Sequence, residues 1–277
     1  MKLASYVRDG SDAFGIVVDD GLVTLNRRTA HASLGDALAA DALGEIARLA
    51  GERADAKLSE VRFRPVITQP EKIICVGINY RDHAEEVGRE ISPRPSVFAR
   101  FADTLIGHEE PLIRPKVSEC FDFEGELAVI IGRGGRHIPQ ERALDHVTGY
   151  ACFVDGSVRD YQKNSVTAGK NFPATGPLGP WLVTRDEIPD PSRLTLTTRL
   201  NGREMQRSGT DRMIYSVPQI IAYVSGFTPL APGDVIATGT PSGVGHSRKP
   251  PLWMKAGDVL EVEISGIGTL RNRVVDE

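Results

Sequence analysis

The stretch CFDFEGELAVIIG (120–132) carries three carboxylates at alternate positions, Asp122, Glu124 and Glu126. In a strand, alternate side chains share a face, with their Cα atoms about 6.5–7 Å apart. Like charges so placed repel, and each resists leaving water. A divalent cation relieves both penalties, because hard carboxylate oxygens suit Mg²⁺, Mn²⁺ or Ca²⁺. The alternative is an edge strand with a solvated acidic face. A second acidic signal is Asp155, which closes the apolar run Tyr150–Val154 in YACFVDGSVRDYQ (150–162). At the end of a buried strand it is a natural third ligand; read alone, it is a turn residue or a helix N-cap. In GINYRDHAEEVG (77–88), His83 and Glu86 stand three apart, on one face of a short helix that Asn79 can cap and that ends near Gly88. A histidine oriented by a carboxylate is a general base; otherwise the two are an exposed surface pair.

The elements that must position these residues belong to an ordinary globular chain. It has 277 residues, 40% hydrophobic and 25% charged, with a net charge of −4. That balance, with basic residues scattered, gives no electrostatic reason to expect nucleic acid or an anionic membrane as partner. Cys75, Cys120 and Cys152 are odd in number and form no C-x-x-C pair, which argues against a disulfide framework or structural zinc and for a reducing cytoplasm. No apolar run approaches the roughly 20 residues that span a bilayer, and no signal-peptide core precedes the early charges.

Residues 13–25 read as two short strands around an Asp-Asp-Gly turn, and 33–52 as a helix with Ser33 as N-cap. The segment 62–72, with Pro65 and Pro70, reads as a linker, so a small N-terminal strand–helix unit is expected at about 1–65 and the main domain at 70–277. In the latter, KIICVGIN (72–79), ELAVIIG (126–132) and YACFVDG (150–156) read as strands, RLTLTTRLNGREM (193–205) as a hairpin turning at Asn201-Gly202, and SVPQIIAYVSGF (216–227) as a helix capped by Ser216. Strands interrupted by occasional helices, without βαβ alternation, predict an α+β, mostly β architecture. GRGGRH (132–137) and GTPSGVG (239–245) lack nucleotide-loop spacing and read as turns.

Taken together, VGINYRDHAEEVG, DFEGELAVIIG, VDGSVRDYQ, GKNFPATGPLGPWLV and GDVIATGTPSGVG stand in the order of the signature segments of the fumarylacetoacetate hydrolase family, which the chain resembles over about 70–275. The resemblance implies the mixed β-sandwich roll of that family's C-terminal domain, usually a homodimer. It implies that Glu124, Glu126 and Asp155 bind Mg²⁺, Mn²⁺ or Ca²⁺, with Asp122 outside the ligand set. It implies that His83 and Glu86 activate water, that Lys170 stabilises the leaving carbanion, and that Arg159, Gln162 and Thr240 line the substrate pocket. The function it implies first is hydrolysis of a C–C bond in a 2-oxo or 1,3-diketo acid. The runner-up is an isomerase or decarboxylase of a 2-oxo acid using the same metal site. A non-catalytic relative would have lost one of these six metal, dyad and lysine positions, and none is lost. Three departures bear on the substrate: Gly156 and Val158, where the family has bulkier residue and alanine, are expected at the pocket floor, and Arg100-Phe101, where many members have Lys-Pro, at its distal part.

Overall fold

The computed structural model describes all residues from 1 to 277. Its frame is α+β and mostly strand. One large sheet runs, in order, through Ala56–Lys57, Gly21–Thr24, Ser11–Val18, Lys2–Arg8, Gly176–Thr184, Val147–Val154, Gly125–Ile131, Val235–Ala237, Ile73–Gly77 and Ser96–Arg100. A five-stranded sheet packs against it, in the order Arg203–Gly209, Thr195–Leu200, Val259–Ile264, Gly268–Asp276 and Leu112–Arg114.

The strand Gly125–Ile131 explains its own composition. Every residue of it is buried. Leu127, Val129 and Ile131 point into the core between the two sheets, with Val262, Leu196 and the helix residues Ile220 and Ile221. Ala128 and Ile130 point the other way, into a core shared with Leu3, Ile16, Leu182 and the helix residue Leu38. Both faces are dry, so the sequence is continuously apolar there instead of alternating.

The strand Lys2–Arg8 has no counterpart in the sequence reading. It pairs antiparallel with Gly176–Thr184, so residues 1–65 extend the same sheet that carries the later strands. The segment 62–72 is packed: Arg62–Phe63 pairs with Lys2–Arg8, and Val66 and Ile67 are buried. The single helix expected at 33–52 is two, Leu34–Ala39 and Leu43–Ala47, separated at Asp41 with φ of 54°. Ser33 caps the first, as expected. The helix Val217–Phe227 begins with a capping box between Ser216 and Gln219. The hairpin at Asn201-Gly202 has both turn residues at positive φ, as a type I′ turn requires. All three cysteines are free thiols. No helix is long and apolar enough to cross a membrane.

Candidate metal centre and proton-transfer site

Two neighbouring strand ends bring the acidic residues together. Glu124 and Glu126 flank Gly125, the first residue of its strand; Asp155 follows the last residue of the neighbouring Val147–Val154, and its N–H donates to the Glu124 carbonyl at 2.9 Å. One oxygen from each of Glu124, Glu126 and Asp155 lies within 4.8 Å of the others, and all three residues are buried. Asp122 sits one step away, in the short strand Phe121–Asp122. Its Oδ1 accepts from Gly245 N–H, and its Oδ2 from His246 N–H and Arg159 Nε.

Buried cations balance the cluster unevenly. Lys170 Nζ donates to Glu124 Oε2 at 2.7 Å and Asp155 Oδ2 at 2.6 Å. Arg159 reaches the other Glu124 oxygen at 2.5 Å, and Arg100 the other Asp155 oxygen at 2.6 Å. Burial alone pushes Glu124 up, but Lys170 and Arg159 outweigh it and hold the carboxyl at about 2. Burial lowers Lys170, yet the charges of Asp155 and Glu124 outweigh it and leave the ammonium above its ordinary range. Glu126 has no cation partner; it accepts from Gly239 N–H at 2.8 Å. Burial, then the charges of Asp155 and Glu124, push its carboxyl well up. An all-oxygen donor set with one uncompensated carboxylate fits a hard divalent cation.

The same cavity, about 440 Å³, is lined by Glu124, Glu126, Asp155, Lys170 and His83. Arg159, Gln162 and Thr240 line it too, Arg159 Nη1 donating to Gln162 Oε1 at 2.8 Å. His83 Nδ1 lies 3.0 Å from Glu86 Oε2 on the helix Arg81–Glu86. Glu86 accepting from Nδ1–H leaves the lone pair of Nε2 free for a proton.

Some expectations fail here. Asn79 does not cap that helix; Tyr80 precedes it without a side-chain cap. The Asn79 amide is instead buried, donating to the carbonyls of Tyr215 and Thr238 and accepting from Tyr215 N–H. Gly156 and Val158 do not line the cavity: Gly156 backs onto Phe121 and the Thr175 carbonyl, and Val158 is core. Arg100 is not distal either. Its guanidinium is buried behind Asp155, bound also to the Gly156 carbonyl and Thr175 Oγ1, and Phe101 points to solvent.

The glycine-rich loop after Val235–Ala237, read from sequence as a turn, does more than turn. Gly239 N–H holds Glu126, Gly243 N–H holds Glu86 at 2.9 Å, and Gly245 and His246 N–H hold Asp122. Gly243 sits at φ of +104°, and a Cβ there would collide with the Met205 carbonyl, so only glycine serves. Nothing in the spacing of GTPSGVG announces this, because the contacts are made by backbone.

Residues 72–275 match the model described as the fumarylacetoacetate hydrolase C-terminal domain. A mitochondrial oxaloacetate tautomerase of Xenopus laevis is 45% identical over 221 residues, 78% of this chain and 69% of that protein. A fumarylacetoacetate hydrolase from the psychrophile Exiguobacterium antarcticum superposes with a TM-score of 0.86 at 34% identity, covering all of both chains. A maleylpyruvate hydrolase from Sphingobium sp. SYK-6, crystallised with Mn²⁺ and pyruvate, gives 0.85 at 29% identity over 100% of this chain and 99% of that one.

Proposed function

The chain belongs to the fumarylacetoacetate hydrolase family, and from that premise we propose that it is a metal-dependent enzyme of enolate chemistry, interconverting the keto and enol forms of an oxaloacetate-like 2-oxo acid. The observation that carries the reading is the company kept in one cavity: an acidic triad, the Lys170 ammonium, and His83, which Glu86 backs from outside the lining. The tautomerase likeness puts isomerisation ahead of the hydrolysis that the sequence put first.

Glu124, Glu126 and Asp155 would hold Mg²⁺ or Mn²⁺, with Ca²⁺ also compatible, and the cation would supply Lewis acidity toward the two oxygens of the 2-oxo acid headgroup. His83 Nε2 takes the proton from the carbon beside the keto group, and Glu86 steadies the imidazolium that results. Lys170 donates to the oxygen on which negative charge develops. Proton return to that oxygen gives the enol, and to carbon the keto form. Arg159, Gln162 and Thr240 orient the substrate.

Hydrolysis is the second reading, favoured by the firm anchoring of Glu86 to both His83 and Gly243 N–H. There His83 takes a proton from water, which adds to the distal carbonyl of a diketo acid. The C–C bond then breaks, and the carbanion leaves as an enolate held by Lys170. A homodimer in the cytoplasm is part of the same proposal.

The test is an assay with Mg²⁺ or Mn²⁺ on oxaloacetate, acetylpyruvate, fumarylpyruvate and a 2,4-diketo-3-deoxy sugar acid. Loss of the enol absorbance of oxaloacetate faster than with the metal alone, abolished by EDTA, supports the tautomerase. CO₂ release instead means a decarboxylase. Pyruvate plus a second acid from a diketo compound, lost in His83→Ala, puts hydrolysis first.

A further inference from the structure

The hairpin strand Arg203–Gly209 belongs to the second sheet, yet one of its side chains reaches the site. Gln206 is 1% exposed and meets three groups. Its Oε1 accepts from Gly125 N–H at 3.0 Å; its Nε2 donates to Thr240 Oγ1 at 2.7 Å and to the Pro241 carbonyl at 2.8 Å. Thr240 passes the chain of bonds on, its hydroxyl donating to the Gly125 carbonyl at 2.9 Å. Both polar groups of the 125 residue are therefore held by one glutamine and the threonine it holds.

Gly125 is the residue between Glu124 and Glu126. Its orientation sets theirs. A Cβ at 125 would run into Thr198 Oγ1 and Val262 of the second sheet, so that backbone lies directly on the sheet that supplies Gln206. Thr240 and Pro241 belong to the loop whose amides hold Glu126, Glu86 and Asp122. The loop rests on the same strand, Arg248 donating to the carbonyls of Met205 and Gly243.

We infer that Gln206 is a positioning residue: it locks the 239–246 loop to the start of the Gly125–Ile131 strand and thereby fixes the acidic triad relative to the His83–Glu86 pair. The inference rests on the metal reading above. A buried amide with its acceptor and both donors engaged is costly to replace, because an apolar side chain strands the Gly125 N–H and the Pro241 carbonyl. Groups that orient metal ligands typically govern affinity by about 10–100-fold.

The test is calorimetric titration of the full chain with Mn²⁺ at 25 °C, for the unsubstituted protein and Gln206→Met, each first shown to be folded by circular dichroism. The Kd for Mn²⁺ is expected to rise about 10–100-fold in Gln206→Met. Should that variant not fold, Gln206→Asn takes its place. It keeps the amide but is one methylene short of spanning Gly125 and Pro241, and the expected rise is at least about fivefold. A merely structural role would lower the melting temperature and leave the Kd of the folded variant unchanged; that result overturns the inference. Absence of Mn²⁺ uptake by the unsubstituted chain would overturn the metal reading itself, and this inference with it.

Discussion

Arg100 Nη1 lies 2.6 Å from Asp155 Oδ1, with the Arg100 side chain fully buried and that of Asp155 1% exposed. The same guanidinium binds Thr175 and the Gly156 carbonyl, and Asp155 shares its other oxygen with Lys170. Removing one partner of a buried ion pair typically costs about 3–5 kcal/mol. Arg100→Gln is therefore expected to lose about 3 kcal/mol, the low end because Lys170 still faces Asp155. Urea unfolding of the metal-free protein measures it; a loss under half that size would show Lys170 to be sufficient alone.

His83 and Glu126 predict different kinds of loss. His83→Ala removes the proton acceptor but no metal ligand, so turnover should fall about 10²–10⁴-fold while Mn²⁺ affinity stays within a few-fold of the parent. Glu126→Gln should abolish both together. Full activity in His83→Ala would remove that residue from the chemistry.

The two glutamates beside Gly125 are shifted in opposite directions. Glu126 is raised well above its ordinary 4.5 by burial and by Asp155 and Glu124. The metal-free fold thus binds a proton that the unfolded chain has released, and stability from this group falls as pH rises from about 4.5 toward the raised value. A cation needs the carboxylate, so Mn²⁺ uptake should release a proton and tighten as pH rises. Calorimetry in buffers of different ionisation heat reads the proton directly. Glu124, held at about 2, contributes stability that is present above its unfolded value of 4.5 and lost as pH falls toward 2.

Gly125→Ala places a methyl group against Thr198 Oγ1 and Val262. Overpacking of this kind costs about 1–3 kcal/mol, and here it also tilts both neighbouring glutamates. Thermal melts should show the loss, and adding Thr198→Ala should recover part of it. No recovery would mean that the Val262 contact dominates.

Much of this site was legible from residue order because its chemistry sits on side chains in short segments. Alternating carboxylates before an apolar run, a carboxylate at a strand end, and a His and Glu one helical turn apart all survive as patterns. The strand assignment succeeded for the same reason, since a run buried on both faces cannot alternate. What sequence hid was made by backbone or by distance. Gln206 looks like any polar residue of an exposed hairpin, and its partners are 34 to 81 residues away. The break at Asp41 and the use of Asn79 as a loop clamp, in place of a cap, were decided by tertiary contacts that local propensity does not contain. Lys2–Arg8 was hidden because its buried run, Leu3 to Tyr6, includes the polar Ser5 and shows no alternation.

Amide groups, not side chains, hold Glu126, Glu86 and Asp122 through the 239–246 loop. A substitution cannot delete a backbone N–H unless it is to proline. The side chains of Val244 and His246, which face the cavity from that same loop, are separable from this duty. A lineage can therefore exchange Val244 and His246, reshaping what fits against the reacting centre, while the carboxylates stay where they are. The loop separates what an enzyme of this kind must keep from what it is free to explore.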